Sequence, residues 1–251
     1  MSLERRNPQI LRYEKMKDKK ELQRLFSSIS DKYDLLNQVF SFGAAQFWRK
    51  MAVSRMPERG PYLDLCAGTL ELSLSLLKQR DINGSITAVD FCPEMLLRGR
   101  KKLSSKRNAI SPLNRIKILT GDGECLPLKD NNYQGVMIGF GLRNLANRTA
   151  GLKEILRVLK PGGRLVVLEF SVPSSPLFRR VYYIYFCHIL TFLGNLFSRK
   201  YMAYNHLRDS VLAFPDKDKL AAMMFDAGFV KIRCQLLTFG IVALHWGEKP
   251  V

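Results

Sequence analysis

The stretch YLDLCAGTLELSLSLLK, residues 62–78, decides the fold together with SITAVD, residues 85–90. The apolar start of the first stretch runs into the small-residue turn Ala67-Gly68-Thr69, which predicts a buried strand and then a helix over residues 70–78. SITAVD predicts a second strand, and Pro93 suits the first position of the helix that follows it. This order of strand, helix and strand predicts a right-handed crossover between parallel strands.

The same alternation continues along the chain. Residues 116–119, 135–140 and 164–170 are further strand-like runs, and residues 150–159 have the pattern of a helix. The last two strand-like runs, 230–237 and 240–246, lie only two residues apart, which predicts an antiparallel hairpin. The sequence therefore predicts an α/β, doubly wound, Rossmann-like sheet of seven strands that is mostly parallel and has an antiparallel last strand.

Two segments fall outside the alternation. Residues 1–60 are predicted to form a basic N-terminal arm and a helical cap, with a break near Ser41-Phe42-Gly43. Residues 61–251 are the predicted main domain, with a helical insertion at 173–214 after strand five. Within it, residues 181–197 form an apolar run of 17 residues that includes polar side chains, at the lower limit for a spanning helix, so a buried or interfacial segment is expected.

The composition excludes some classes of protein and points to an anionic partner. With 251 residues, 47% hydrophobic and 25% charged, the chain is globular rather than disordered or fibrous. Its 40 Lys and Arg against 22 Asp and Glu give a net charge of +18, which suits nucleic acid, an acidic lipid surface or a charged cofactor. Residues 98–117 hold eight Lys or Arg and no acid, a pattern that favours anionic lipid or a solvated helix face.

The cysteines and the N-terminus indicate a cytosolic protein. The five cysteines are scattered, with no CxxC and no histidine at ligand spacing, so reduced thiols and no metal site are expected. Residues 1–20 lack the apolar core of a signal peptide.

Acidic and glycine residues follow three of the predicted strands. Ligands of a doubly wound sheet bind at the carboxyl ends of the strands. Gly68-Thr69 turns after strand one, and Asp90 ends strand two, 22 positions after Gly68, where an acidic side chain meets ribose hydroxyls. Asp122-Gly123-Glu124 follows strand three, where an acid can address an adenine edge. Each feature alone is ordinary loop chemistry, but together they favour a nucleoside cofactor.

The first loop argues against a dinucleotide. The GxGxxG fingerprint is absent, because Ala67 and Leu70 stand where further glycines are expected. NAD and FAD need a close backbone approach to their pyrophosphate. S-adenosylmethionine carries adenosine without phosphate and fits the loop better.

Several motifs then carry a family resemblance. KYDLLN at 32–37, FGLRN at 140–144 and GIVALH at 240–245 are specific, whereas KPGG at 160–163 occurs in many methyltransferases. On these motifs, residues 20–249 resemble the ubiquinone/menaquinone-biosynthesis C-methyltransferases of the UbiE/MenG type. The resemblance implies a class I methyltransferase fold, S-adenosylmethionine as cofactor, and C-methylation of a prenylated quinol. Demethylmenaquinol is the expected substrate, and the benzoquinol precursor of ubiquinone is the alternative.

By this resemblance, Thr69, Asp90, Asp122 and Gly123 fall on cofactor contacts, and Gly68 is assigned with them. The family reads GGTGD in the first loop, where this chain has residues 67–71 as AGTLE. We therefore expect Ala and Leu in place of two glycines to tighten the methionine end of the pocket.

The expected chemistry needs a phenolate, because removing the quinol proton raises electron density on the neighbouring ring carbon. Arg143, in the loop after strand four, is predicted to stabilise the oxyanion. His206, His245 and Glu169 are candidates for a proton acceptor, and the sequence does not choose among them. No metal is expected in the reaction.

Two other functions would also suit parts of the sequence. An RNA methyltransferase would suit the charge of +18, but GFGLRN is not the Asn/Asp-Pro-Pro-aromatic turn of base-N-methylating enzymes, so no nucleic-acid partner is expected. A non-catalytic scaffold of a quinone-synthesis complex would retain the fold without turnover. The apolar insertion favours a groove for an isoprenoid tail and peripheral contact with an anionic membrane surface, and a homodimer stays open.

Overall fold

A seven-stranded sheet forms the centre of the protein. The structure, a computed structural model, describes residues 18–79, 84–105, 115–173, 175–184 and 201–251. The strand order is β3-β2-β1-β4-β5-β7-β6. The strands are β1 (Tyr62–Leu65), β2 (Ile86–Asp90), β3 (Ile116–Thr120), β4 (Tyr133–Gly139), β5 (Leu159–Phe170), β6 (Val230–Leu237) and β7 (Val242–Glu248).

The strand directions confirm the predicted sheet. β1 pairs in parallel with both β2 and β4, and the pairs β2–β3 and β4–β5 are also parallel. β7 lies between β5 and β6 and is antiparallel to both, so the predicted hairpin is present. The strand order reverses at β1, which brings the loops after β1 and β4 side by side at the carboxyl edge, where such sheets bind ligands.

Helices cover the two faces and one edge of this sheet. They are α1 (Lys19–Ile29), α2 (Tyr33–Phe40), α3 (Ala44–Ser54), α4 (Glu71–Gln79), α5 (Pro93–Ser105), α6 (Arg148–Val158), α7 (Pro176–Ile184), α8 (Tyr201–Leu212) and α9 (Lys217–Asp226). Side-chain caps fix three of their starts: Asp18, Asn147 and Asp216 accept hydrogen bonds from backbone N–H groups in the first turns of α1, α6 and α9.

The apolar core has two layers, one on each face of the sheet. Trp48, Leu72 and Leu96 belong to the layer under α3, α4 and α5. Leu152 and Met224 belong to the layer under α6 and α9. A sheet buried on both faces explains why β1 and β2 read as continuous buried runs.

Two predicted boundaries need correction. The cap has a second break at 30–32, because the turn there separates α1 from α2 before the predicted break at 41–43. β5 begins at Leu159 rather than near 164, because the backbone of the KPGG segment pairs with the chain end. Gly162 N–H donates to Lys249 O at 3.0 Å, and Lys249 N–H donates to Gly163 O at 2.8 Å.

The insertion contributes α7 and α8. Most of the apolar run predicted at 181–197 lies outside the described residues, as do positions 106–114 of the basic stretch. In the part of the chain that the structure describes, no helix is both long enough and apolar enough to cross a membrane.

Candidate active site

The five residues predicted to bind cofactor meet at the carboxyl edge of the sheet. Gly68 and Thr69 follow β1, Asp90 ends β2, and Asp122 and Gly123 follow β3. One cavity of about 60 Å³ is lined by Gly68, Asp90, Asp122 and Gly123. A second, of about 40 Å³, is lined by Gly68 and Thr69. Their assignment to the cofactor remains a prediction, but the geometry brings them together.

Asp90 is buried and organises the first loop. Its Oδ2 accepts a hydrogen bond from Gly68 N–H at 2.8 Å, and its Oδ1 accepts one from Cys92 N–H at 2.8 Å. Burial raises the pKa of this carboxyl to about 6, although the backbone hydrogen bonds oppose the rise. Since each carboxylate oxygen accepts more than one hydrogen bond, Asp90 retains acceptor capacity for two ribose hydroxyls.

The loop after β1 is shaped by left-handed backbone conformations. Cys66, Gly68 and Leu70 have φ of 54°, 51° and 66°. The Leu70 side chain is fully buried in the core, and a Cβ added at Gly99 of α5 would lie 2.4 Å from its Cγ. Leu70 lines neither cofactor-side cavity. The expectation that it crowds the methionine end is therefore wrong, because its backbone turns the side chain towards α5.

An ion pair from α1 covers the loop after β3. Lys19 Nζ lies 2.5 Å from Asp122 Oδ2 and 3.0 Å from Glu124 Oε2. Burial alone raises the pKa of Asp122, but hydrogen bonds from Lys19 and from Glu124 N–H outweigh it, so the pKa lies below its usual value. α1 thus closes one end of the 60 Å³ cavity, which Lys19, Leu22 and Phe26 line.

Thr69 is tied to the cap rather than left open. Its Oγ1 donates to Asp34 Oδ1 at 2.6 Å, and Lys102 Nζ lies 2.5 Å from Asp34 Oδ2 and 2.7 Å from Glu71 Oε1. Sequence reasoning missed Lys19, Asp34 and Lys102. Asp34 lies within the KYDLLN motif, but its contact with Thr69 appears only in the folded chain. No local motif marks Lys19 or Lys102, because each joins the site only when distant segments pack together.

A larger apolar cavity of about 310 Å³ lies between the cap, the carboxyl edge of β4 and β5, and the insertion. Eight side chains with polar groups interrupt its wall: Tyr33, Asn37, Ser41, Arg49, Arg143, Tyr182, His206 and Thr238. Burial raises the pKa of Tyr33, so its hydroxyl keeps its proton. The apolar wall of this cavity includes Phe26, Leu36, Phe40, Trp48, Phe140 and Phe170.

Phe140 stands where the apolar cavity meets the two cofactor-side cavities. It lines all three, as does Tyr33. Its φ is 55°, and its ring packs against Phe170 at 4.8 Å and Trp48 at 6.1 Å between centroids. A methyl donor on one side and an aromatic acceptor on the other would meet here.

Arg143 lies in the wall of the apolar cavity and is held by a buried carboxylate. Its guanidinium Nη1 is 2.8 Å from Glu169 Oε1 and also donates to the carbonyl oxygen of Phe140. The Glu169 side chain is 1% exposed and accepts a further hydrogen bond from Arg143 N–H. Glu169 is thus an ion-pair partner and does not line the cavity.

The two candidate histidines lie in different parts of the structure, and one of them lines the apolar cavity. His245 lies in β7, with Nε2 2.8 Å from Lys217 O, and lines none of the three cavities described above. His206, 4% exposed, lines the apolar cavity, and its Nε2 lies 3.1 Å from Asn144 Oδ1. Among the described residues, no group of three or more acidic, cysteine or histidine side chains is arranged to hold a metal ion.

The groups around the cofactor-side cavities fit S-adenosylmethionine. Asp90 offers a carboxylate for ribose, and Val89, Phe91, Met95 and Leu145 offer apolar sides for an adenine ring. The glycine at 141 leaves room for the loop after β1, since a Cβ there would lie 2.3 Å from Cys66 Cβ.

The sheet order and this site define a class I S-adenosylmethionine-dependent methyltransferase. A solved S-adenosylmethionine-dependent methyltransferase from Thermotoga maritima superposes with a TM-score of 0.60 at 19% identity, covering 90% of this chain and 98% of the other. A Haemonchus contortus phosphoethanolamine N-methyltransferase in complex with S-adenosylmethionine gives 0.57 at 12% identity, covering 80% of this chain and 52% of the other. At these sequence identities the similarity shows a shared fold and nothing more.

The sequence comparisons place the chain more closely. It belongs to the ubiE/COQ5 methyltransferase family, whose model matches residues 13–249. A demethylmenaquinone methyltransferase from Thermus thermophilus is 43% identical over 228 residues, 90% of this chain and 100% of that protein. A ubiquinone/menaquinone biosynthesis C-methyltransferase from Geotalea daltonii is 40% identical over 231 residues, 91% of this chain and 96% of that protein. The resemblance inferred from the motifs is confirmed, and with it a methyltransferase that uses S-adenosylmethionine.

Proposed function

We propose that this enzyme transfers a methyl group to a ring carbon of demethylmenaquinol and forms menaquinol. The observation that carries the proposal is the meeting of the apolar cavity with the cofactor-side cavities at Phe140. A prenylated bicyclic quinol has the apolar ring and tail that such a cavity accepts. The name of the Thermus thermophilus relative supports this substrate.

The bound cofactor supplies an electrophilic methyl group on sulfur. The chain supplies alignment and charge. Phe140, Phe170 and Trp48 form an aromatic wall against which a quinol ring packs. Arg143 presents a fixed cation in the same wall, where it stabilises the phenolate that makes the ring carbon nucleophilic. α1, α2 and α3 cover the cavity and exclude water.

Quinone analysis tests the substrate directly. Cells that lack the protein are expected to accumulate demethylmenaquinone, measured by mass spectrometry of extracted quinones. Accumulation of a ring-demethylated benzoquinone instead would assign the ubiquinone precursor, and an unchanged quinone pool would refute both. Purified protein that fails to bind S-adenosylmethionine in calorimetry would support the non-catalytic scaffold. Methylation of RNA in place of the quinol would support the nucleic-acid alternative.

We also propose peripheral contact with an anionic membrane at the mouth of the apolar cavity. Phe42, Phe178 and Phe239 line the cavity and are 83%, 41% and 71% exposed. Phe178 and Phe239 stack at 4.6 Å, and the exposed Arg179 and Arg180 follow Phe178 on α7. Aromatic side chains flanked by cations suit the interface of an anionic bilayer, from which a prenyl tail would enter.

Flotation with lipid vesicles tests this contact. The wild type is expected to float with phosphatidylglycerol vesicles more than with phosphatidylcholine vesicles. The double variant Phe42→Ser/Phe239→Ser should lose most of that binding. Phe225→Ser is the matched control, because Phe225 is 69% exposed but lies on α9 and does not line the cavity. Equal binding by the double variant and the control would contradict the assignment of this surface.

A further inference from the structure

We infer that Thr238 is a positioning residue, which fixes the Trp48 indole in the orientation that receives the acceptor ring. The inference rests on the proposed function and adds to it a residue that acts through its neighbour. Thr238 belongs to the β6–β7 turn, residues 238–240. In the sequence this turn is only the middle of a predicted hairpin, whereas in the fold Thr238 lines the apolar cavity.

The sheet register brings the β6–β7 turn to the acceptor side of the site. β7 is antiparallel to β5, and Phe170 at the end of β5 pairs with Val242 at the start of β7. The turn that precedes Val242 therefore lies beyond the carboxyl end of β5, at the edge of the sheet where ligands bind. Ser171 N–H donates to Ile241 O at 2.8 Å, which ties the turn to the chain leaving β5.

The backbone of this turn is strained. Thr238 and Phe239 have φ of 47° and 56°, and Gly240 follows at 88°. A left-handed conformation is uncommon for any residue other than glycine, and it is a genuine outlier for a β-branched or bulky side chain. Such outliers persist where the surrounding structure holds them, and they cluster at binding sites. Thr238 and Phe239 both line the apolar cavity, so the strain lies at the acceptor site.

The hydroxyl of Thr238 meets the edge of a buried indole. Trp48 Nε1 donates to Thr238 Oγ1 at 2.7 Å, although the two residues are 190 positions apart in the sequence. Trp48 is 4% exposed and also lines the apolar cavity. A buried indole N–H that loses its acceptor costs free energy. The hydrogen bond therefore holds one edge of the ring in a single orientation.

The same indole packs on the wall that leads to the cofactor side. Its ring centroid lies 6.1 Å from that of Phe140 and 6.3 Å from that of Phe170, and the second pair is edge-on. Phe140 lines the apolar cavity and both cofactor-side cavities. A rotation of Trp48 would therefore move the surface for the acceptor ring beside the place where that ring meets the methyl donor. An indole that is fixed before the acceptor arrives also avoids the cost of ordering it on binding.

Two substitutions at position 238 separate the hydroxyl from the shape of the side chain. Thr238→Val keeps the β-branch and removes the hydroxyl, whereas Thr238→Ser keeps the hydroxyl. The acceptor is a demethylmenaquinol with one prenyl unit, used in solution without vesicles. Thr238→Val should raise its KM and lower kcat/KM by about tenfold, and Thr238→Ser should stay within about twofold of the wild type. Affinity for S-adenosylhomocysteine, measured by calorimetry, should be unchanged in both, because Thr238 lines neither cofactor-side cavity.

A double-mutant cycle tests whether Thr238 acts through Trp48. The Trp48→Phe variant has no indole N–H, so adding Thr238→Val to it should change kcat/KM by less than about twofold. Thr149→Val is the matched control, because Thr149 is exposed on α6 and lines none of the three cavities. It should leave kcat/KM and both affinities at their wild-type values.

Binding of the ring is followed separately from turnover. In a Trp246→Phe background, Trp48 is the only tryptophan of the chain. Quenching of its emission by menaquinone gives a dissociation constant, which Thr238→Val should raise by about tenfold. The melting temperature is measured for each variant.

Four outcomes would overturn the inference. Thr238→Val could match the wild type in kcat/KM and in quenching, or Thr238→Ser could lose as much as Thr238→Val, so that the hydroxyl is not the cause. A fall in S-adenosylhomocysteine affinity and melting temperature together with menaquinone affinity would mean that the turn supports the fold as a whole. An equal effect of Thr238→Val with and without the indole would mean that Thr238 does not act through Trp48.

Failure of the proposed function gives a different result. A wild type that binds menaquinone but does not methylate demethylmenaquinol would contradict the proposed function. The quenching experiment would still decide whether Thr238 positions Trp48 for a quinone ring, because it measures binding without turnover.

Discussion

The cofactor side and the acceptor side of the site are built in different ways. Every residue of β1 and β2 is buried, and the cofactor loops follow directly from these strands. By contrast, α2 in the wall of the apolar cavity has no residue that is fully buried. The cofactor side is therefore a rigid edge of the core, whereas the acceptor side is a layer of short helices laid over it. Such a division suits an enzyme with a constant cofactor and a bulky lipid substrate.

The largest effect is expected at Arg143, in the wall of the apolar cavity. Arg143→Ala would leave Glu169 buried without its partner, which typically costs about 3–5 kcal/mol of unfolding free energy. A loss of turnover in Arg143→Ala would therefore not separate catalysis from folding, and a second variant is needed. Arg143→Gln/Glu169→Gln removes both charges, so its stability should stay near that of the wild type in thermal and urea denaturation.

Turnover of the double variant then decides the role of Arg143. If the cation stabilises the phenolate, the barrier should rise by about 2–4 kcal/mol, measured by single-turnover methyl transfer. Affinity for S-adenosylmethionine should be unchanged, because Arg143 lines neither cofactor-side cavity. Arg143→Lys should keep partial activity, since it retains charge without the planar fork. If a stable double variant transfers methyl groups at the wild-type rate, Arg143 only stabilises the loop and does not take part in catalysis.

The next largest effect is expected at Asp90, on the cofactor side of the site. Asp90→Asn should weaken binding of S-adenosylmethionine by about 1.5–3 kcal/mol for each hydrogen bond lost to the charged acceptor. Asn is preferable to Ala, because its single amide oxygen still accepts from one of the Gly68 and Cys92 N–H groups, whereas Ala would leave both without an acceptor. Calorimetry gives the affinity and a melting curve gives the control. An unchanged dissociation constant in a natively folded variant would refute the ribose assignment.

The pH dependence of the same affinity follows from the raised pKa of Asp90. The carboxylate is ionised above about pH 6 and protonated below it. Protonation converts one acceptor oxygen into a donor, so cofactor affinity should fall as the pH drops through about 6. The Asp90→Asn variant should lack this dependence, which separates Asp90 from the other carboxyls of the protein.

The difference between the two sides also explains what the sequence could predict. Asp90 ends β2, and Gly68 and Asp122 follow β1 and β3 within three residues. Local pattern and the rule for parallel sheets were therefore enough to bring them together. The acceptor cavity depends on α1 to α3, α7 and α8, which are far apart in sequence and show no common period. Distinguishing His206 from His245 needed tertiary contacts, because the neighbouring sequence does not show which of the two histidines lines a cavity. Predicting the direction of the Leu70 side chain would have required its backbone φ, which the amino-acid sequence does not give.

A smaller effect concerns the left-handed Leu70 at the start of α4. A non-glycine residue in this conformation costs roughly 1–2 kcal/mol. Both Leu70→Ala and Leu70→Gly lose the buried side chain, but only glycine also relieves the backbone. The Gly variant should therefore be more stable than the Ala variant by about 1 kcal/mol, measured by urea denaturation. Cofactor affinity should stay equal in both, and a marked loss would mean that Leu70 supports the pocket from behind.

The smallest effect is expected at Lys19, where the cap crosses to the cofactor side. The two cofactor-side cavities measure about 60 and 40 Å³, far below the roughly 300–1,000 Å³ of typical ligand pockets. We therefore expect α1 to move when the cofactor enters, and the pairs of Lys19 with Asp122 and Glu124 to resist that movement. Exposed pairs contribute about 0–1 kcal/mol, so Lys19→Ala should speed cofactor association by no more than about fivefold and barely change the melting temperature. Added salt should speed cofactor association with the wild type and not with the variant, because it screens the same pairs.

Lys20→Ala removes the same charge from the neighbouring exposed position and is the matched control. Equal association rates for Lys19→Ala and Lys20→Ala in stopped-flow fluorescence would mean that apolar packing of α1 alone sets the barrier to entry.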